Sequence, residues 1–137
     1  MYDIERIGKI ISDIEKYLKD LKSYNLSKED LVDSKNYNAS SMLIFAILNR
    51  IIDLGGEIIS AENLGAPNNY QDIMKILSKA NVINKDQADK MNKLVSKRNV
   101  FAHFYEDISE KELFKTIKEI NSVEDFVKTI KKRVRVE

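Results

Sequence analysis

Apolar residues fall into five stretches with helical spacing. Ile4, Ile7, Ile11, Ile14, Leu18 and Leu21 recur at steps of three and four, which lays one apolar stripe along a first helix. From about Asn38 to Ser60 the chain is apolar almost all the way round, with Met42, Leu43, Ile44, Phe45, Ile47, Leu48, Ile51, Ile52, Leu54, Ile58 and Ile59. Such a segment suits the central helix of a bundle. Gly65, Pro67 and Asn68 mark a turn, and a shorter helix from about Tyr70 to Ala80 carries Ile73, Met74 and Leu77. A turn at Asn81 to Asn84 leads into a fourth helix from about Lys85 to His103, with a break around Glu106 to Ile108. Ser109 and Glu112 have capping-box spacing, and Leu113, Ile117, Ile120, Phe126, Val127 and Ile130 then carry a last amphipathic helix. No segment alternates as a strand does. The pattern predicts an all-α, single-domain antiparallel bundle of about five helices over residues 1–137, and the Lys131 to Arg135 charge run reads as a frayed or solvated end.

Polar residues inside apolar faces single out candidate chemistry. On the central helix Asn49, Asp53 and Glu57 follow at four-residue steps and form one narrow polar strip, which meets either water or a site. On a continuous fourth helix Met91, Leu94, Val95 and Ala102 share a face with Arg98 near its middle. Burying a lone guanidinium costs several kcal/mol on order-of-magnitude grounds, so Arg98 needs an acid, a cleft or a subunit interface, and Asp53 and Glu57 are the expected acids. An internal ion pair with no further role satisfies the same argument. His103, the only histidine, lies four residues after Asn99, whose amide could set the imidazole tautomer. Arg98 and His103, five apart, point about 140° away from each other on a continuous helix, so a second subunit is the simplest way for both to serve one phosphate. Lys90, Lys93 and Lys97 form a basic stripe that is either a solvated face or a track for a phosphate backbone.

Composition narrows the classes. With 137 residues the chain suits one core, and 23 basic against 22 acidic residues leave a net charge of +1, too little to attract a polyanion globally. There is no cysteine, which excludes disulfides and thiolate metal sites and fits a reducing cytosol. MYDIERIGKI lacks the basic start and apolar run of a signal peptide, and no stretch reaches the roughly 18 apolar residues of a membrane span. A soluble cytoplasmic protein without a membrane contact is expected.

The segment RNVFAHFY reads Arg98, four residues, His103, one residue, Tyr105, and resembles the R-x4-H-x-Y motif of the HEPN superfamily, in particular its HepT-like toxin branch. The order of five helices, IIDLGGEIIS at the end of the second helix, the VIN turn and the acidic residues after Tyr105 extend the resemblance over most of the chain. It implies a toxin that cleaves RNA without a metal or other cofactor, encoded beside an antitoxin of nucleotidyltransferase fold. His103 is then the general acid or base, Arg98 neutralises the phosphorane charge, Asn99 supports the pair, and Tyr105 accepts AMP from the partner, which switches the toxin off. One histidine per chain implies a homodimer with facing motifs. The alternative is a non-catalytic helical module that binds a nucleotidyltransferase subunit or a nucleotide.

Overall fold

A computed structural model describes residues 1–135. Its long elements are α1 (Ile4–Tyr24), α2 (Ser34–Glu62), α3 (Ile73–Lys79), α4 (Lys85–Val95), α5 (Arg98–His103), α6 (Glu110–Glu119) and α7 (Val123–Val134), with no strand among the described residues. Two of the five expected helices are each broken once, the fourth at Ser96 and Lys97 and the last at a 3-10 turn over Ile120–Ser122. Each break is small, so the antiparallel rods survive.

Side-chain ties fix the direction of packing. Tyr2, Arg6 and Asp13 on the N-terminal side meet Glu62, Glu57 and Arg50 of α2, so numbers rise on one rod as they fall on the other. The same inverse order links α4 to the last rod, where Gln87 meets Thr129, Lys93 meets Glu119 and Lys97 meets Glu112. Along α2 and the α5 region, Asn49 meets Arg98 while Tyr37 meets Tyr105 and Ile108. α2 is therefore the hub, packed on α1, α3, α4, α5 and α6. Ile44, Ile47, Leu48, Ile51, Leu54 and Ile58 are fully buried along it. Gly55 lets α3 come close, because a Cβ there would lie 2.4 Å from Ile73 Cγ2.

Helix ends follow local chemistry. Asp3 and Asp33 cap α1 and α2 through their side chains, and Asn25 and Asn63 close them in the left-handed region at φ 46° and 54°. Ser109 caps α6 by accepting from the Glu112 backbone N–H at 3.1 Å. The other half of the expected box is missing because the Glu112 carboxylate turns to Lys97. The C-terminal charge run is docked rather than frayed, since Lys131 pairs with Glu15 and Arg133 grips Glu62 through two bonds of 2.6 Å.

Candidate functional site

The break after α4 builds the site. Ser96 Oγ donates to the Lys93 carbonyl at 2.8 Å, a local bond that competes with the helix ladder. Lys97 Nζ is drawn across to Glu112, Glu119 and Thr116 Oγ1 at 3.0–3.1 Å. α5 consequently restarts on a rotated face. Phe101, at 4% exposure, enters the core in place of the expected Ala102, and Arg98 moves to the edge of α2, half-buried rather than inside the apolar stripe.

Arg98 is held without an acid. Its Nε donates to Asn49 Oδ1 at 3.0 Å, its Nη1 donates to Asn99 Oδ1 at 3.2 Å, and its Cζ lies 5.5 Å from the centre of the Phe45 ring. The expected partners are engaged elsewhere: Asp53 accepts from Arg50 at 3.1 Å and Glu57 pairs with Arg6 at 2.7 Å. The strip on α2 therefore meets three different arginines, and only its amide member meets Arg98. A carboxylate would have cancelled the charge; an amide dipole orients the guanidinium and leaves it positive. A guanidinium has five N–H donors, and these two bonds leave three of them for an anion.

His103 ends α5 and is exposed, its ring 6.2 Å from that of Phe104 in an edge arrangement. Asn99 supports Arg98 and not the imidazole, because the α4–α5 break leaves its carbonyl oxygen facing the guanidinium. Tyr105 is half-buried in a 3-10 turn, Tyr105–Asp107. Sequence patterning passed over the residue that fixes this turn, Tyr37 of α2, whose hydroxyl lies on both the Tyr105 and Ile108 carbonyls and whose ring is 6.4 Å from that of Tyr105. Burial, and then the acidic surroundings of Glu110, Asp107 and Glu106, push the Tyr37 hydroxyl above its ordinary value, so it remains a donor. A tyrosine in the first turn of a helix, with no periodic role of its own, was the available signal.

The lysine stripe is engaged by carboxylates. Lys90 pairs with Asp86 at 3.0 Å and Lys93 with Glu119 at 2.7 Å, while Lys97 serves two acids and keeps only 19% of its side chain exposed. Burial raises Glu119, but Lys93 and Lys97 outweigh it and hold that carboxyl below its ordinary value. Lys97 is a strut between α5 and α6, not part of an open track. Three apolar side chains stand out around the motif: Met42, Val100 and Phe104 are 73%, 41% and 60% exposed. No three His, Cys, Asp or Glu side chains converge to hold a metal ion, and no helix is long and apolar enough to cross a membrane, among the described residues.

Comparison with known proteins agrees with this architecture. A family model described as ribonuclease HepT-like matches residues 14–130. Over 88 residues the chain is 30% identical to YutE of Bacillus subtilis, provisionally named as an RNase; the match spans 64% of this chain and 61% of YutE. The solved structure of YutE, described as a cytosolic protein, superposes with a TM-score of 0.86 at 26% identity, covering 98% of this chain and 93% of that one. A tri-AMPylated HEPN toxin of Shewanella oneidensis, solved in complex with an MNT antitoxin, superposes with a TM-score of 0.85 over 96% of this chain and 98% of its own, and at 22% identity it shares the fold.

Proposed function

The chain belongs to the HepT-like ribonuclease family, and from that membership we propose that it is a toxin that cleaves RNA without a metal, restrained by a nucleotidyltransferase-fold partner. The observation that carries the proposal is the state of Arg98. Two neutral amides fix the guanidinium in direction and leave its charge and three donors unspent, five positions before an exposed histidine.

The chemistry needs one base and one acid. One imidazole takes the proton of the ribose 2′-hydroxyl, and that oxygen attacks the phosphorus. The bond to the 5′-oxygen breaks, and a second imidazole protonates the departing oxygen, leaving a 2′,3′-cyclic phosphate and a 5′-hydroxyl. Arg98 stabilises the extra negative charge on the phosphorane. Each chain brings one histidine, so two copies complete the pair. Exposed Met42, Val100 and Phe104 supply apolar surface around the motif that suits a homodimer. Lys90 and Lys93, both 57% exposed, pair with Asp86 and with the part-buried Glu119, and can exchange these acids for phosphates.

Tyr105 is proposed as the acceptor of AMP. Its phenol oxygen attacks the α-phosphorus of ATP, pyrophosphate leaves, and the phenol proton is lost to solvent. The adduct places a bulky anion two residues from His103, where it blocks and repels RNA. The modification reported for the Shewanella toxin supports this reading.

The test is total RNA incubated with purified protein in EDTA. Cyclic-phosphate ends are expected, with loss on Arg98→Ala or His103→Ala at unchanged helicity. Equal cleavage by His103→Ala would overturn the catalytic assignment, and no cleavage by the parent would favour a docking module for the nucleotidyltransferase.

A further inference from the structure

Beside Arg98 lies a small cavity between α2 and α5, about 180 Å³, lined by Ser41, Met42, Phe45, Phe101, Ala102 and Tyr105. Half of its lining residues are aromatic, and one of them, Phe45, also packs against the Arg98 guanidinium. Ser41 is 3% exposed, and its Oγ is buried without a hydrogen-bond partner among the described residues. Nearly all buried polar groups in folded proteins are paired, so an unpartnered hydroxyl on a residue that lines a cavity offers a hydrogen bond that a water or a ligand atom can complete.

We propose that this cavity takes one unstacked base of the bound RNA, next to the phosphate held by Arg98; the proposal rests on the ribonuclease reading and names how its substrate is gripped. Proteins read single-stranded RNA by stacking splayed bases on aromatic rings and bonding their edges. Phe45, Phe101 and Tyr105 offer the rings, and the Ser41 hydroxyl can donate or accept at a base edge. At about 180 Å³ the space is below the roughly 300 Å³ at which drug-sized pockets begin, which suits one ring system with its sugar and phosphate outside. The exposed Phe104 of a second copy is the competing occupant, and a phenyl ring would leave Ser41 Oγ unpaired.

The experiment uses 2′-O-methyl trinucleotides, which cannot be cleaved through the 2′-oxygen, titrated into the labelled protein and followed by amide NMR shifts. Saturable shifts are expected at Ser41, Phe45 and Ala102. Ala102→Leu, which fills the cavity, weakens binding about tenfold or more. Ser41→Ala, which removes only the orphan hydroxyl, weakens it about threefold to tenfold with a melting temperature that stays level or rises, so the test stands even if Ala102→Leu fails to fold. Absence of shifts at these residues, or equal affinity of a folded Ala102→Leu, overturns the proposal. So does an altered oligomeric state of Ala102→Leu with unchanged affinity, which assigns the cavity to a second copy. Pocket binding without cleavage of natural RNA refutes the ribonuclease reading alone; cleavage without pocket binding refutes the pocket alone.

Discussion

Asn49→Asp changes one atom's chemistry and almost no volume, yet it places a carboxylate where an amide now orients Arg98 from 3.0 Å. Charges about 4 Å apart attract by roughly 4 kcal/mol at an effective dielectric of about 20. Arg98 is half-exposed, and exposed pairs return about 1 kcal/mol or less, so about 1–2 kcal/mol is a fair net value here. That attraction is added to the ground state and withdrawn from the phosphorane, which competes for the same guanidinium. At about 1.4 kcal/mol per factor of ten, cleavage should slow roughly fivefold to thirtyfold. The assay is the initial rate on a fluorescent RNA in EDTA, with thermal melting as the fold control. Melting should stay level or rise slightly as the new pair forms. A variant that cleaves within twofold of the parent would refute the idea that an uncancelled charge on Arg98 matters.

Other expectations follow from the same structure. Gly55→Ala should cost about 1–3 kcal/mol by overpacking against Ile73, whereas Gly56→Ala, whose Cβ meets nothing within 4 Å, should stabilise by up to about 1 kcal/mol; chemical denaturation of the pair separates packing from helix propensity. Tyr37→Phe should loosen the Tyr105 turn and cost about 1–3 kcal/mol as its carbonyls lose their donor, read as faster amide exchange at Asp107 and Ile108. Because Tyr37 is raised when folded, its neutral form supports the fold up to about pH 10 and that support is lost as pH climbs through the folded value; the parent's melting temperature should fall there more steeply than that of Tyr37→Phe. Asp13, lowered first by Lys9 and then Arg50, and Glu62, lowered by Arg133 and then Tyr2, stabilise the fold above their ordinary range near pH 4 and lose that contribution as pH falls through their folded values. Arg133→Ala should therefore flatten the acid limb of the melting profile.

The rods and their buried faces were legible because burial writes itself into spacing. Ile44, Ile47, Leu48 and Ile51 can only be a core helix. The polar strip of Asn49, Asp53 and Glu57 was visible for the same reason, and it does meet arginines. Which arginine meets which strip residue depends on where two helices cross, and periodicity carries no such coordinate. Arg98 was accordingly matched to Asp53 and Glu57, one and two helical steps beyond its true partner. The break at Ser96 and Lys97 was hidden for a related reason: it is made by Lys97 reaching Glu112 and Glu119, contacts across 15 and 22 residues. Once the helix breaks, the wheel drawn through Arg98 no longer applies, and Phe101 rather than Ala102 turns inward. Tyr37 escaped notice because its task is to hold a turn 68 residues away.

Arg98 and His103 lie five positions apart on one six-residue helix, with Arg98 bonded into α2 and His103 exposed at the helix end. The proposed chemistry needs the His103 imidazoles of two copies, one as base and one as acid. Mixing parent with His103→Ala protein tests this directly, because a mixed dimer holds only one of the two imidazoles. Mixed dimers are expected to be inactive, so that cleavage falls with the square of the parent fraction. Cleavage that falls in simple proportion to the parent fraction, with mixed dimers demonstrated by native mass spectrometry, would contradict this.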